Sequence, residues 1–294
     1  LEFIHDETGF EKTKVVDLKN GNKMFTTLNN FMIRSVSADG YAIALKYNYD
    51  FSLNTFIIEL QSEELIWEKK LLPLPIFIDS NKLISVFKNL VIVFDNTGLE
   101  LWSFDLKHLG LWFDYDKKEK SNQVSRVLGV YKNQIYLYLN SGKVLVLNQS
   151  TGEKVCLIEN NVNADQGVFK GMFMNSIELD ISKAKLIQIF NQRYTEVDLN
   201  NNIVSQHLIH EMYSLKLSNL SRCAFTEEHI FFTDKTHHKL ASLNRSNLRI
   251  DWTFDLSESA KNKSNELGRF GRKLSFNHKR LFVTDNENAL HIFE

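Results

Sequence analysis

Residues with the chemistry to act are few and scattered. Asp114 and Asp116 flank Tyr115 and come nearest to a cation loop, because carboxylates at alternate loop positions are how proteins gather oxygen ligands around calcium. The spacing stops after two acids, and Lys117, Lys118 and Lys120 follow at once, so the stretch reads as a solvated loop. His237-His238 is the one adjacent histidine pair. Neighbouring side chains on a strand point to opposite faces, so a metal would need the turn to gather them, and an exposed polar turn is the simpler reading. His207 and His210 would share a helix face, but "NIVSQHLIHEMY" follows an Asn-rich turn and reads as an outer strand. Cys156 and Cys223 are far apart and form neither CxxC nor zinc spacing, which favours two buried thiols over a disulfide. No G-x-S-x-G elbow frames a serine. "LGRFGRK" is not followed by a helical pattern, so it is a basic loop around Arg269, Arg272 and Lys273 rather than a phosphate cradle. Catalytic residues and metal ligands are therefore not expected.

Composition agrees with that restraint. The 294 residues are 43% hydrophobic and 24% charged, with a formal charge of -1 and a pI near 6.8. Such a balance excludes a global field that would draw nucleic acid or an anionic membrane. No apolar run nears the roughly 20 residues of a membrane-spanning helix. "LEFIHDETGF" lacks the basic and apolar regions of a signal peptide; a processed precursor would look the same, so a bacterial cytoplasm and a periplasm both stay open.

The elements that must position any site are strands. "QIYLYL" and "KVLVLN" alternate, "EKVCLI" runs on, and the three are joined by "NSG" and "QSTG". Period two with aromatic and β-branched residues means strand, and the glycines supply the positive φ of tight hairpins. With "SRVLGVY" before Lys132-Asn133, this makes a four-stranded antiparallel meander. The pattern recurs, with first strands expected near residues 33, 83, 125, 169, 214 and 273, a period of roughly 40 to 50 residues of nearly pure strand that marks a β-propeller. The chain is thus expected to be one all-β domain over 1–294, with blades of four antiparallel strands and the N- and C-terminal strands closing the ring. Dividing the length by seven gives about 42 residues, close to the cleanest spacing, so seven blades are favoured, with six as the alternative if the N-terminal strands complete the last blade.

The turns carry a resemblance. "LNQSTGEKVCLI", "FDNTGLELWSFDL" and "LNRSNLRIDWTFDL" are similar to the quinoprotein-type (PQQ-like) repeat, with Trp67, Trp102 and Trp252 in or near its aromatic position. The resemblance implies a propeller and invites a test for the family's quinone. Adjacent cysteines and a calcium loop are missing, so no cofactor is expected and the chain is read as a non-enzymatic member. WD40 repeats fit less well, since no Trp-Asp dipeptide closes a blade.

A rigid propeller with variable loops is suited to gripping another protein, and the expected function is non-catalytic protein binding by a chain that is monomeric when free. Tyr47, Tyr49, Phe51, Trp112 and Tyr115 are the candidate aromatic anchors, since Tyr and Trp dominate interface hot spots. Arg269, Arg272 and Lys273 are the candidate basic contacts. The expected partner is a toxin neutralised by an immunity-type protein. The alternatives are a scaffold of the outer-membrane assembly lipoprotein type and a sugar-binding or hydrolytic propeller with a central pocket.

Overall fold

Hairpin chemistry builds one sheet after another. A computed structural model describes residues 2–5, 11–16, 23–26, 31–37, 39–47, 53–62, 64–70, 75–114, 116–163, 171–217, 222–234, 238–255, 270–277, 279–285 and 290–293. The first sheet holds β1 (Glu2–His5), β2 (Glu11–Val16) and β3 (Lys23–Thr26). The second holds β4 (Phe31–Val36), β5 (Tyr41–Tyr47), β6 (Leu53–Glu59) and β7 (Glu64–Lys70). The third holds β8 (Ile76–Phe77), β9 (Lys82–Phe87), β10 (Leu90–Asp95) and β11 (Glu100–Asp105). A two-stranded ribbon, β12 (Leu111–Phe113) and β13 (Glu119–Ser121), precedes the sheet of β14 (Val124–Tyr131), β15 (Gln134–Leu139), β16 (Val144–Asn148) and β17 (Lys154–Ile158). Then follow β18 (Glu178–Asp180), β19 (Lys185–Phe190), β20 (Arg193–Asp198) and β21 (Ile203–Leu208), and after them β22 (Ala224–Phe225), β23 (His229–Asp234), β24 (Lys239–Asn244) and β25 (Ile250–Asp255). β26 (Phe270–Asn277), β27 (Arg280–Asp285) and β28 (Leu290–Phe293) form a three-stranded sheet. Each sheet is a meander in chain order. Helical structure among the described residues is confined to α1 (Glu211–Ser214) and two 3-10 turns, Leu106–Leu109 and Asn161–Asn163.

These elements fall into two compact units. One comprises Leu1–Ser125, Lys132–Ile135 and Leu147–Val155; the other comprises Arg126–Tyr131, Tyr136–Val146 and Cys156–Glu294.

Asx turns close the hairpins between third and fourth strands. Asp95 Oδ1 accepts from the backbone of Thr97 and Leu99, Asn148 Oδ1 from Ser150 and Thr151, and Asn244 Oδ1 from Ser246. The short side chain mimics a backbone turn, which is why Asp or Asn ends these strands. Lys132-Asn133, between the first and second strands of their sheet, and Asn191-Gln192, between the second and third of theirs, hold positive φ at both central residues, the mirror-type turn whose twist matches the flanking strands.

Near-continuous apolar runs produce middle strands buried on both faces. Ile135 through Leu139 on β15 and Val144 through Leu147 on β16 are all buried. Tyr136, Tyr138, Val144 and Val146 pack with Leu179, Leu186 and Val197 of the following sheet. In the second unit, Ile187, Ile189 and Tyr194 pack with Ile230, Phe232, Ala241 and Leu243, and Leu240 packs with Leu274, Leu281 and Val283. Fully burying each leucine, isoleucine, valine or phenylalanine among them contributes roughly 1.5–3 kcal/mol. Fourth strands are wetter: Glu100, Leu101 and Ser103 on β11 are exposed around a buried Trp102.

That tryptophan is part of a repeated device within the first unit. Trp67 on β7 lies opposite Ile57, and its Nε1 donates to the Asn96 carbonyl in the next turn at 2.9 Å. Trp102 lies opposite Val93, and its Nε1 donates to the Gln149 carbonyl at 2.9 Å. Each indole covers a glycine: a Cβ on Gly98 would sit 3.1 Å from the Trp67 ring, and one on Gly152 would sit 2.5 Å from Trp102. Glycine is thus required twice over, for its φ of 84° or 75° and for the close approach.

The repeat boundaries differ from the expectation. "KLISVF" is a second strand, preceded by the two-residue β8, and "LGLWFDYD" supplies β12 of the ribbon instead of a fourth strand. First strands expected near 169 and 214 are β18 at Glu178 and β22 at Ala224. The cause is brevity: β8, β18 and β22 span only two or three residues, too short for a period, and β8 follows directly on Pro75, which cannot donate to a ladder.

Candidate functional site

Of the predicted contact residues, Tyr49, Phe51, Tyr115 and Arg269 lie outside the described residues. Tyr47 ends β5, while Arg272 and Lys273 belong to β26, so the basic stretch expected to be a loop becomes strand from Phe270 onward. Trp112 sits mid-ribbon, and its Nε1 donates to the Ser121 carbonyl at 3.3 Å. Its neighbours were not singled out by the sequence, yet Leu111 and Phe113 are 59% and 66% exposed. Alternate residues of a strand share a face, so the ribbon presents two unburied apolar side chains together, with Ser121 and Glu119 opposite them on β13.

Asp114 spends its carboxylate on its own turn, accepting from the backbone of Asp116 and Lys118, with Lys120 Nζ 3.8 Å away. His207 lies on β21, whereas His210 precedes α1. Among the described residues no group of three or more His, Cys, Asp or Glu gathers as a metal would need, and both cysteines are free. Burial pushes the Cys223 thiol well above its ordinary value, with the Glu178 carboxylate adding to the shift.

The strongest electrostatics are in the second unit. Glu178 on β18 is buried and accepts from Arg126 of β14 at 3.0 Å and from Arg222, just before β22, at 3.2 Å. Asp180, also buried, pairs with Arg245, whose other terminal nitrogen donates to the Thr226 carbonyl at 2.8 Å. The pattern signal was available, because "IELDI" places both acids on one face of a strand with period two, but their cations come from distant repeats.

Beside Asp180 and Arg245 a cleft of about 810 Å³ opens, within the roughly 300–1,000 Å³ of typical ligand sites. One wall is Lys185, Tyr194, Glu196 and His207 from β19 to β21; facing it are Asn244, Arg245, Ser246 and Leu248 of the turn before β25. Lys183, Glu227 and Glu228 form the rim. Lys185 Nζ donates to Glu196 at 2.7 Å and the Tyr194 hydroxyl donates to the other carboxylate oxygen at 2.6 Å. Burial raises the Glu196 carboxyl, but the bonds from Lys185 and Tyr194 outweigh it and hold the group below its ordinary value. Burial first, then the bond to Glu196, pushes the Tyr194 phenol far up. Mutually neutralised groups of this kind order a surface for recognition.

No protein-family model matches the chain, and no curated protein matches it either. Solved structures do. BamB from Moraxella catarrhalis aligns over 100% of this chain and 87% of its own, with 9% identity and a TM-score of 0.58. The β-propeller domain of Cps50 (Swd1) from Myceliophteria thermophila aligns over 96% and 89%, with 12% identity and a TM-score of 0.63. Sqt1 of Saccharomyces cerevisiae aligns over 99% and 80%, with 12% identity and a TM-score of 0.58. At such identities the likeness carries the fold alone: the chain folds as a β-propeller.

Proposed function

We propose that the chain is a non-catalytic propeller that binds another protein through the ribbon on which Trp112 lies. The observation that carries this reading is the pair Leu111 and Phe113, more than half exposed on one face of a two-stranded element that interrupts the four-stranded rhythm. Aromatic and aliphatic groups held rigidly in water are what a partner desolvates. As finer parts of the reading, we take seven blades of up to four strands, closed into a ring at the termini and monomeric when free, supported by seven sheets of three or four strands among the described residues. The quinoprotein-type repeat is supported by Trp67 and Trp102, each set on the Thr-Gly turn that follows. The partner class to test first is a toxin met by an immunity-type protein; fold likeness alone does not choose a partner.

The test is affinity capture from the source cell followed by titration. Phe113→Ser should weaken capture by about thirtyfold or more, matching the roughly 2 kcal/mol of a hot spot, with an unchanged circular dichroism spectrum. Unaltered binding by Phe113→Ser and Leu111→Ser would place the interface elsewhere, and turnover of a small substrate would end the non-enzyme reading.

A further inference from the structure

The 810 Å³ cleft, lined by Glu196, Arg245 and Leu248, lies beside the position at which three other sheets of this chain place a tryptophan. In β7, β11 and β25 the indole residue lies across from Ile57, Val93 and Ser242, two positions before the residue that starts the turn. The corresponding residue of β20 is Glu196, and the residue across from it is Ser205. Where Trp67 and Trp102 donate to the carbonyl of the second turn residue and cover a glycine, the matching turn offers Arg245 and Leu248. Both halves of the device are therefore altered in this pair of sheets. The indole has become a serine hydroxymethyl, and the glycine has become a leucine held at φ 56°. The space lies open, backed by Tyr194 and His207, whose rings are 6.3 Å apart.

We propose that this vacated position is a binding site for a partner polypeptide that inserts an aromatic side chain, above all tryptophan, next to a basic residue. The ring would pack on Leu248 and against the Tyr194–His207 wall, supplying from outside the apolar surface that the chain supplies for itself twice elsewhere. The basic neighbour follows from the rim. Lys183 is paired with Glu227, Lys185 with Glu196 and Arg245 with Asp180, whereas exposed Glu228 contributes a carboxylate not engaged in any of these pairs. A cation beside the inserted ring neutralises it. This site is separate from the ribbon and does not depend on the ribbon being an interface.

The probe is a capped Gly-Lys-Trp-Lys-Gly peptide, observed by ligand-detected NMR against the intact chain. Saturation of the tryptophan ring protons is expected, with at least tenfold weaker binding of the peptide in which alanine replaces tryptophan. Ser205→Trp with Leu248→Gly refills the position with the chain's own indole and clears the backbone beneath it. That double variant should lose peptide binding by tenfold or more and melt no lower than the parent. Glu228→Gln, an exposed turn change that leaves the melting temperature unaltered, should weaken binding severalfold and serves if the double variant does not fold. No detectable binding at millimolar peptide, equal binding of the alanine peptide, or undiminished binding by either variant would overturn the proposal.

Discussion

Gly152→Ala probes the contact on which the repeated packing depends. Gly152 holds φ 75°, and an added Cβ would lie 2.5 Å from Trp102 Cε3 and 2.6 Å from Cδ2, nearer than real side-chain contacts come. Two costs add. Left-handed backbone for a residue with a Cβ is worth about 1–2 kcal/mol, and forcing a methyl into a packed ring about 1–3 kcal/mol, so the expected loss is about 2–5 kcal/mol. Gly40→Ala isolates the first cost, because Gly40 also has positive φ, 87°, yet nothing lies within 4 Å of the added carbon. Urea denaturation should therefore show Gly152→Ala losing about 1–3 kcal/mol more than Gly40→Ala. In a Trp102→Ala background that excess should vanish, as a double-mutant cycle reports directly. Equal losses at the two glycines, or an excess that survives removal of the indole, would refute the docking argument.

Other consequences are as direct. Glu178→Ala strands Arg126 and Arg222 around a missing carboxylate, and breaking a buried pair in this way costs about 3–5 kcal/mol, readable as a large fall in denaturation midpoint. Burial pushes the Tyr136 and Tyr138 phenols up to about 12 and Tyr194 higher still. Their folded values exceed the unfolded value of about 10, so the native state keeps protons the unfolded state releases. Stability should decline as pH rises above about 10, with part of the phenolate absorbance appearing only on unfolding. Glu196 has the opposite sign: its depressed folded value contributes stability above its ordinary 4.5 that is lost as pH falls through the folded value, and Glu196→Gln should flatten that acid limb. Cys223 is buried with a raised thiol pKa, so it should resist maleimide in the native protein and react upon unfolding.

The sequence made the middle and outer strands legible because "QIYLYL" and "LVIVFD" are long enough to show a period and end in Asn, Asp or Gly with a definite turn geometry. Innermost strands were not, since Ile76–Phe77 and Ala224–Phe225 carry two residues each. Trp112 was visible as an aromatic, but the exposure of Leu111 and Phe113 depends on the ribbon being left out of a four-stranded sheet, which no local pattern encodes. The cleft was invisible for a different reason. It lies beside Ser205, which stands where other sheets hold an indole, and Leu248, which stands where other turns hold a glycine, and such replacements in a degenerate repeat register only when the strands are aligned in three dimensions. Glu178 and Asp180 drew no notice because an acid on a strand looks solvated until distant arginines arrive.

Hydrogen exchange of the full chain with and without its captured partner tests the binding account most directly. Protection on complex formation should concentrate in the ribbon peptides spanning 109–122, with the middle strands β15 and β16 unchanged. Protection absent from 109–122 and confined to other segments would contradict it.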